Sequence, residues 1–314
     1  MKIVFFGSSD FSIPILQLCA LLPNQLVTVV TTPDVKQGRG LLIQSNPVTV
    51  YCRKNQIPYV APVKLSQAPE MEAIRRLQPD LFVVASYGKM IPSSWLKLPA
   101  RYAFNIHPSL LPRYRGAAPL NWPILNGEIE TGISIAEVTD RLDAGDLYYQ
   151  KSLVIDDEIN SMELSTKLAA MAEEGLAEIF LSLGRGTPLI KTAQNDGASS
   201  YARKLTKNDG RLSWMASARA LHNKIRGLLP WPKALFVFKN ESVQVLKSHW
   251  SPANSDDPKP GHVVKLVNNS GLFVQTGEGI LQIIRVKPAG KPEMPAEAYA
   301  HGRQIKAGVP LTDL

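Results

Sequence analysis

Over the first third of the chain, apolar residues come in short unbroken runs. Residues 2–6 end at Gly7, residues 26–31 are β-branched and continuous, and residues 81–85 and 103–106 repeat the pattern. Runs without polar alternation suit strands covered on both faces. Between them lie stretches with helical spacing: 10–22, where Pro14 is tolerable only in a first turn, then 47–55 and 70–77. Residues 58–60 supply one more short strand. This rhythm predicts an α/β fold, a Rossmann-like open parallel sheet with helices on both faces. Strand-like segments at 132–138 and 147–154 follow.

Leu164, Leu168, Met171, Ile179 and Leu183 then recur on one helical face, predicting a long helix over 161–183. Ser161 is the expected N-cap, and Gly184 and Gly186 end the helix. Periodicity fades over 185–207, which reads as a linker. Beyond it come a helix at 217–227, Pro230-Trp231-Pro232, and five alternating segments at 234–238, 242–246, 262–267, 272–276 and 280–286. Short strands at that spacing predict a small β-barrel. The expected domains are residues 1–184, a linker at 185–207, and a barrel domain at 208–314.

Charge sharpens this division. Residues 1–206 carry 20 Lys and Arg against 19 Asp and Glu, whereas residues 207–314 carry 15 against 8, so nearly all of the net +8 lies in the last third. Such asymmetry points to a polyanionic partner, with a solvated basic surface as the alternative. Trp231, Phe236, Phe238 and Trp250 in that region are expected in the barrel core rather than as base-stacking platforms. Cys19 and Cys52 share no ligand spacing and read as reduced structural thiols. The N-terminal apolar run is too short for a signal peptide, and no run approaches a transmembrane length, so a cytoplasmic protein without a membrane partner is expected.

In parallel sheets, ligands sit beyond the carboxyl ends of the strands. After the first strand, Gly7-Ser8-Ser9-Asp10 has one glycine where a dinucleotide fingerprint needs three, and Asp34 is the nearest acidic residue after the second, which disfavours nicotinamide and flavin enzymes. There is no P-loop and no Gly-x-Ser-x-Gly elbow, and the histidines and cysteines lack metal-ligand spacing. The richest segment is Asn105-Ile106-His107-Pro108-Ser109-Leu110-Leu111-Pro112-Arg113-Tyr114-Arg115-Gly116. Asn105 and His107 are two apart on a strand and share a face. An amide beside an imidazole can stabilise an oxyanion and manage a proton, or can be a satisfied polar pair. The second segment, Asp140-Arg141-Leu142-Asp143-Ala144-Gly145-Asp146, is either a solvated turn or the source of a carboxylate that orients the imidazole and favours its charged form.

Taken together, Asn105-x-His107-x-Ser109-Leu110-Leu111-Pro112-x-Tyr114-Arg115-Gly116 and Asp143-x-Gly145 resemble the folate-dependent formyltransferases. The resemblance runs along nearly the whole chain. In detail it is to the members that formylate the methionine carried by initiator tRNA, through the 37–40 loop, the basic last third and Pro288-Ala289-Gly290-Lys291 with Met294. It implies a C-terminal barrel resembling an OB-fold, 10-formyltetrahydrofolate as donor, initiator methionyl-tRNA as partner, no metal and a monomer. It further implies Asn105, His107 and Asp143 as catalytic, Ser109, Leu110, Leu111, Pro112, Met90 and Ile91 as folate-binding, Arg39 as tRNA-binding, and a cis Leu111–Pro112 bond. Pro108 stands where the family commonly has glycine. A sugar-nucleotide formyltransferase, a formyltetrahydrofolate hydrolase and a non-catalytic RNA-binding protein are the competing readings.

Overall fold

The computed structural model describes residues 1–21, 26–37, 42–67, 69–256 and 259–311. They form two compact units. The first comprises Met1–Pro119, Glu130–Leu153 and Ser165–Arg203; the second comprises Leu120–Ile129, Val154–Leu164 and Lys204–Leu314.

The first unit is built on a seven-stranded sheet. Its order is Leu147–Val154, Glu130–Glu137, Tyr102–His107, Leu81–Ala85, Ile3–Gly7, Leu26–Val30, Tyr59–Val60. The central strands Ile3–Gly7 and Leu81–Ala85 are buried at every residue, as their unbroken apolar sequences require. Phe6, Phe82, Tyr87, Ile91 and Trp95 share one core cluster, and the Trp95 indole donates to the Leu65 carbonyl. Burying such side chains stabilises the fold by roughly 1.5–3 kcal/mol each.

The sheet is not wholly parallel. Strand Glu130–Glu137 runs antiparallel to Tyr102–His107, with Phe104 opposite Glu137 and His107 opposite Ser134. The intervening segment has no helix longer than Trp122–Leu125, and a parallel return needs a crossover of a dozen or more residues, usually helical. Residues after Glu137 therefore start at the end of Tyr102–His107 that is remote from His107, and the 139–146 loop must run back along the sheet to reach it.

Segment 185–203 is built into the first unit rather than hanging between elements. Thr192 exchanges both backbone hydrogen bonds with Leu147, and Tyr201–Ala202 pairs in parallel with Arg115–Gly116. The long helix spans Ser161–Gly184, but Ser161 is not its cap. Asn160 accepts from the N–H groups of Met162 and Glu163, and Glu163 accepts from the Asn160 N–H. One position ahead of Ser161, the Asn160 side-chain oxygen reaches both donors, while the Ser161 hydroxyl donates instead to the Leu229 carbonyl.

The second unit wraps one core with an antiparallel sheet ordered Ala234–Phe238, Glu241–Ser251, Ile280–Pro288, Gly271–Gln275, Val263–Val267, with Met294–Pro295 added to Ile280–Pro288 as a sixth strand. Helices Ala218–Gly227 and Ala296–Gly302 contribute Leu221, Ile225, Tyr299 and Ala300 to that core. Phe236 and Phe238 are core residues, and Trp250 is partly buried against the same core cluster. Trp231 is not: it is 48% exposed, between two cis prolyl bonds at Leu229–Pro230 and Trp231–Pro232. A side chain in that Pro-flanked loop has no strand alternation to direct it inward.

Candidate active site

Strand Tyr102–His107 alternates as a pleated strand must. Phe104 leaves on one side, where it meets Tyr148 edge-on at a centroid distance of 5.2 Å. Asn105 and His107 leave on the other. Asp143 arrives there from the loop after Glu137. Its backbone is left-handed, at φ 51°, and Gly145 beside it lies so near the strand that a Cβ would fall 2.0 Å from the Glu137 carbonyl. Only glycine permits that approach.

The three side chains meet. Asn105 Nδ2 donates to Asp143 Oδ1 at 2.8 Å, and His107 Nδ1 lies 3.6 Å from the same oxygen. Asp143 Oδ2 accepts the Gly116 N–H at 2.8 Å. His107 and Asp143 are 6% and 10% exposed, so water screens this charge poorly. His107 Nε2 stands 2.9 Å from the Tyr114 carbonyl, which can only accept; that nitrogen therefore carries a hydrogen, and Nδ1 is the one beside the carboxylate. Tyr114 and Gly116 are themselves left-handed, at φ 60° and 112°, so two of the polar groups framing the triad are held by uncommon backbone.

The turn that leaves the strand is fastened at several points. The Ser109 hydroxyl donates to the Arg113 carbonyl, and the Ser134 hydroxyl donates to the Ser109 carbonyl and accepts from the Leu111 N–H. Gln150 Nε2 donates to the Leu111 carbonyl and to Ser134 Oγ. The Leu111–Pro112 bond is cis. Leu111 is buried, whereas the Ile91 side chain belongs to the core cluster and Met90 is 54% exposed. Ser109 is fully buried with its N–H and carbonyl both bonded, and Ile91 is 6% exposed, so in this structure neither presents a free side chain to a ligand. Arg39 lies outside the described residues.

Sequence reasoning missed a set of polar groups around the triad: the Tyr114 carbonyl, the Gly116 N–H, and Gln194, Asp196 and Ser200. The first two are backbone groups that no side chain announces. The last three lie in the stretch read as a linker, where fading periodicity hid their packing; the polar run Gln194-Asn195-Asp196 was the one available signal. Cys19 and Cys52 are free and buried, and burial pushes both thiols upward, Cys52 to about 11, which leaves them poor nucleophiles. Among the described residues, no group of three or more His, Cys, Asp or Glu could hold a metal ion, and no helix is long and apolar enough to cross a membrane.

Residues 1–180 match the formyl transferase family and residues 204–304 match the formyl transferase C-terminal domain. The chain belongs to the formyl transferases. It is 34% identical over 307 residues to the methionyl-tRNA formyltransferase of Thermodesulfovibrio yellowstonii, with 98% of this chain and 97% of that one covered. To the enzyme of the same description from Thermus thermophilus it is 36% identical over 312 residues, covering 99% of each. Within the family it therefore stands with the methionyl-tRNA formyltransferases. Among solved structures, WlaRD, a sugar 3N-formyl transferase crystallised with dTDP and 5-N-formyl-THF, superposes with a TM-score of 0.67 at 18% identity, covering 93% of this chain and 99% of that one. HypX from Aquifex aeolicus, in complex with tetrahydrofolic acid, superposes at 0.64 and 17%, with 96% and 47% covered. At such identities the likeness is one of fold.

Proposed function

We propose that this chain transfers the formyl group of 10-formyltetrahydrofolate to the α-amine of methionine on initiator tRNA, and that Asn105, His107 and Asp143 carry the transfer. The observation that carries the reading is the meeting of an amide, an imidazole and a carboxylate within 3.6 Å on one sheet face. The near-full-length similarity to methionyl-tRNA formyltransferases supports the acceptor.

The amine nitrogen attacks the formyl carbon, a C–N bond forms, and the carbonyl electrons move to oxygen. An amide nitrogen has two hydrogens. Asn105 gives one to Asp143 and offers the other to the new oxyanion; charged His107 offers its Nδ1 hydrogen beside it. Asp143, held by Asn105 and the Gly116 N–H, balances the imidazolium and helps draw the proton from the attacking amine. The C–N10 bond then breaks and N10 leaves with a proton, so one proton passes from acceptor to donor overall. Losing a single oxyanion donor costs about 2.7–4 kcal/mol of transition-state stabilisation.

The folate lies along Ser109, Leu110, Leu111 and Pro112 and against Met90 and Ile91, with the exposed Met90 side chain as its apolar contact. The first unit carries the chemistry, the basic second unit contacts tRNA phosphates, and Arg39 contacts the acceptor end. The protein acts in the cytoplasm as a monomer. The direct test offers charged initiator tRNA and a nucleotide-linked amino sugar together with 10-formyltetrahydrofolate. Formylmethionyl-tRNA is the expected product; formylation of the sugar alone, or release of free formate, contradicts the proposal.

A further inference from the structure

The loop that carries Asp143 has few bonds of its own. Thr139 Oγ1 donates to the Arg141 carbonyl, and the Ala144 N–H reaches that carbonyl at 3.4 Å. Besides the Asp143 side-chain bonds to Asn105 and the Gly116 N–H and the Ser93 bond to Asp140, its backbone is held by Gln194, which belongs to neither family-matched range. Gln194 Nε2 donates to the Asp143 carbonyl at 3.0 Å and to the Gly145 carbonyl at 2.6 Å. Gln194 Oε1 accepts from Arg115 Nε at 3.3 Å and from Arg115 Nη2 at 2.8 Å. Two donors and two acceptor sites are all that a glutamine amide possesses, and each is used. The same stretch grips both catalytic segments again. Asp196 bridges Arg115 and Arg141 at 2.7 and 2.6 Å, and the Ser200 hydroxyl accepts the Tyr114 N–H at 2.9 Å. Tyr201–Ala202 lies against Gly116 so closely that a Cβ there would fall 2.8 Å from the Ala202 carbonyl.

We infer that Gln194 is a positioning residue for the transfer: it ties the left-handed backbone of Asp143 to Arg115, and through it segment 192–202 fixes where the carboxylate stands relative to His107. The segment joins the strand turn at 109–116 to the loop at 139–146 and adds backbone anchors to the side-chain bonds that Asp143 makes with Asn105 and the Gly116 N–H. Glutamate here loses both donors and turns a carboxylate toward two carbonyl oxygens. Asparagine keeps the chemistry but falls short by one methylene, about 1.5 Å. This role rests on Asp143 being catalytic.

The test compares the full-length wild type with Gln194→Ala and Gln194→Asn. It follows turnover at saturating 10-formyltetrahydrofolate and charged initiator tRNA, both KM values, the pH–rate profile, Tm, and amide exchange. The expected result is a fall in kcat of about 10- to 100-fold in the Ala variant, the scale of a displaced catalytic group, and a smaller fall in Asn. Both KM values stay within about twofold. Tm stays within about 2 °C, and exchange quickens over 139–146 but not over 130–137. Wild-type kcat with unchanged exchange at 139–146 overturns the proposal. So does loss of fold in the Ala variant, or a fall in kcat matched by Tm and both KM values, because each gives Gln194 a structural role only. A wild type that formylates no charged tRNA defeats the proposed function instead, and the exchange comparison still reads whether Gln194 holds the loop.

Discussion

Each unit buries a cluster of polar side chains gathered from distant parts of the sequence, and the two clusters end differently. In the second unit His222 engages both ring nitrogens, with Ser248 Oγ at 3.0 Å and the Asp157 carbonyl at 2.8 Å. Arg226 gives its hydrogens to the carbonyls of Asp156 and Ile159 and to Asn223 Oδ1. Both His222 ring nitrogens and four of the five Arg226 N–H hydrogens have fixed partners, so the cluster pins segment 154–164 and keeps little in reserve for a substrate. In the first unit His107 commits Nε2 to the Tyr114 carbonyl, but its Nδ1 stands 3.6 Å from Asp143, beyond hydrogen-bond reach, and Asn105 commits its nitrogen to one partner. Burial of polar groups therefore does not mark a site. A buried group with capacity in reserve does.

The largest contrast should come from removing one member of each cluster. Asn105→Ala or His107→Ala should lower turnover by about 10²–10³-fold with little change in Tm, whereas His222→Ala should leave turnover intact. Formylation kinetics alongside thermal melts separate the two, and parallel losses in all three would erase the distinction. Next, Arg226→Met should destabilise the second unit by about 2–4 kcal/mol, because several buried acceptors lose their donor; denaturant titration measures it, and a loss under about 0.5 kcal/mol would mean that water replaces the guanidinium.

The units should also differ in response to salt. Raising it from about 50 to 200 mM should increase KM for tRNA tenfold or more and leave KM for the folate within about twofold; a flat tRNA profile would make the basic surface a matter of solubility. The smallest effect concerns pH. Burial holds His222 below the ordinary histidine value, so the unfolded chain takes up a proton that the native state refuses. Stability should fall as pH drops through the unfolded value toward the lowered native one, and His222→Gln should flatten that slope in acid melts.

How far the sequence revealed these clusters follows from what each element depends on. The strands of the first unit were legible because residues 3–7 and 81–85 are buried throughout and apolar throughout. Asn105 and His107 were legible as a pair because strand geometry alone puts them on one face. The approach of Asp143 was not. The rule that ligands sit beyond the carboxyl ends of strands does not place it, because it follows an antiparallel strand whose end at Glu137 lies opposite Phe104. What holds Asp143 beside His107 includes side-chain bonds from Gln194 and Asp196, in a stretch whose irregular sequence carries no period. Likewise Asn160, not Ser161, caps the long helix, a one-residue choice that periodicity cannot make.

The central claim is that the Asn105–His107–Asp143 cluster performs the transfer. The most direct test is the single-turnover rate of formyl transfer from 10-formyltetrahydrofolate to charged initiator tRNA, measured by rapid quench for the wild type and for His107→Ala with both substrates bound. The account predicts a rate lower by about 100-fold or more in the variant, with folate affinity within about twofold of wild type. A folded variant that transfers the formyl group at the wild-type rate would contradict it.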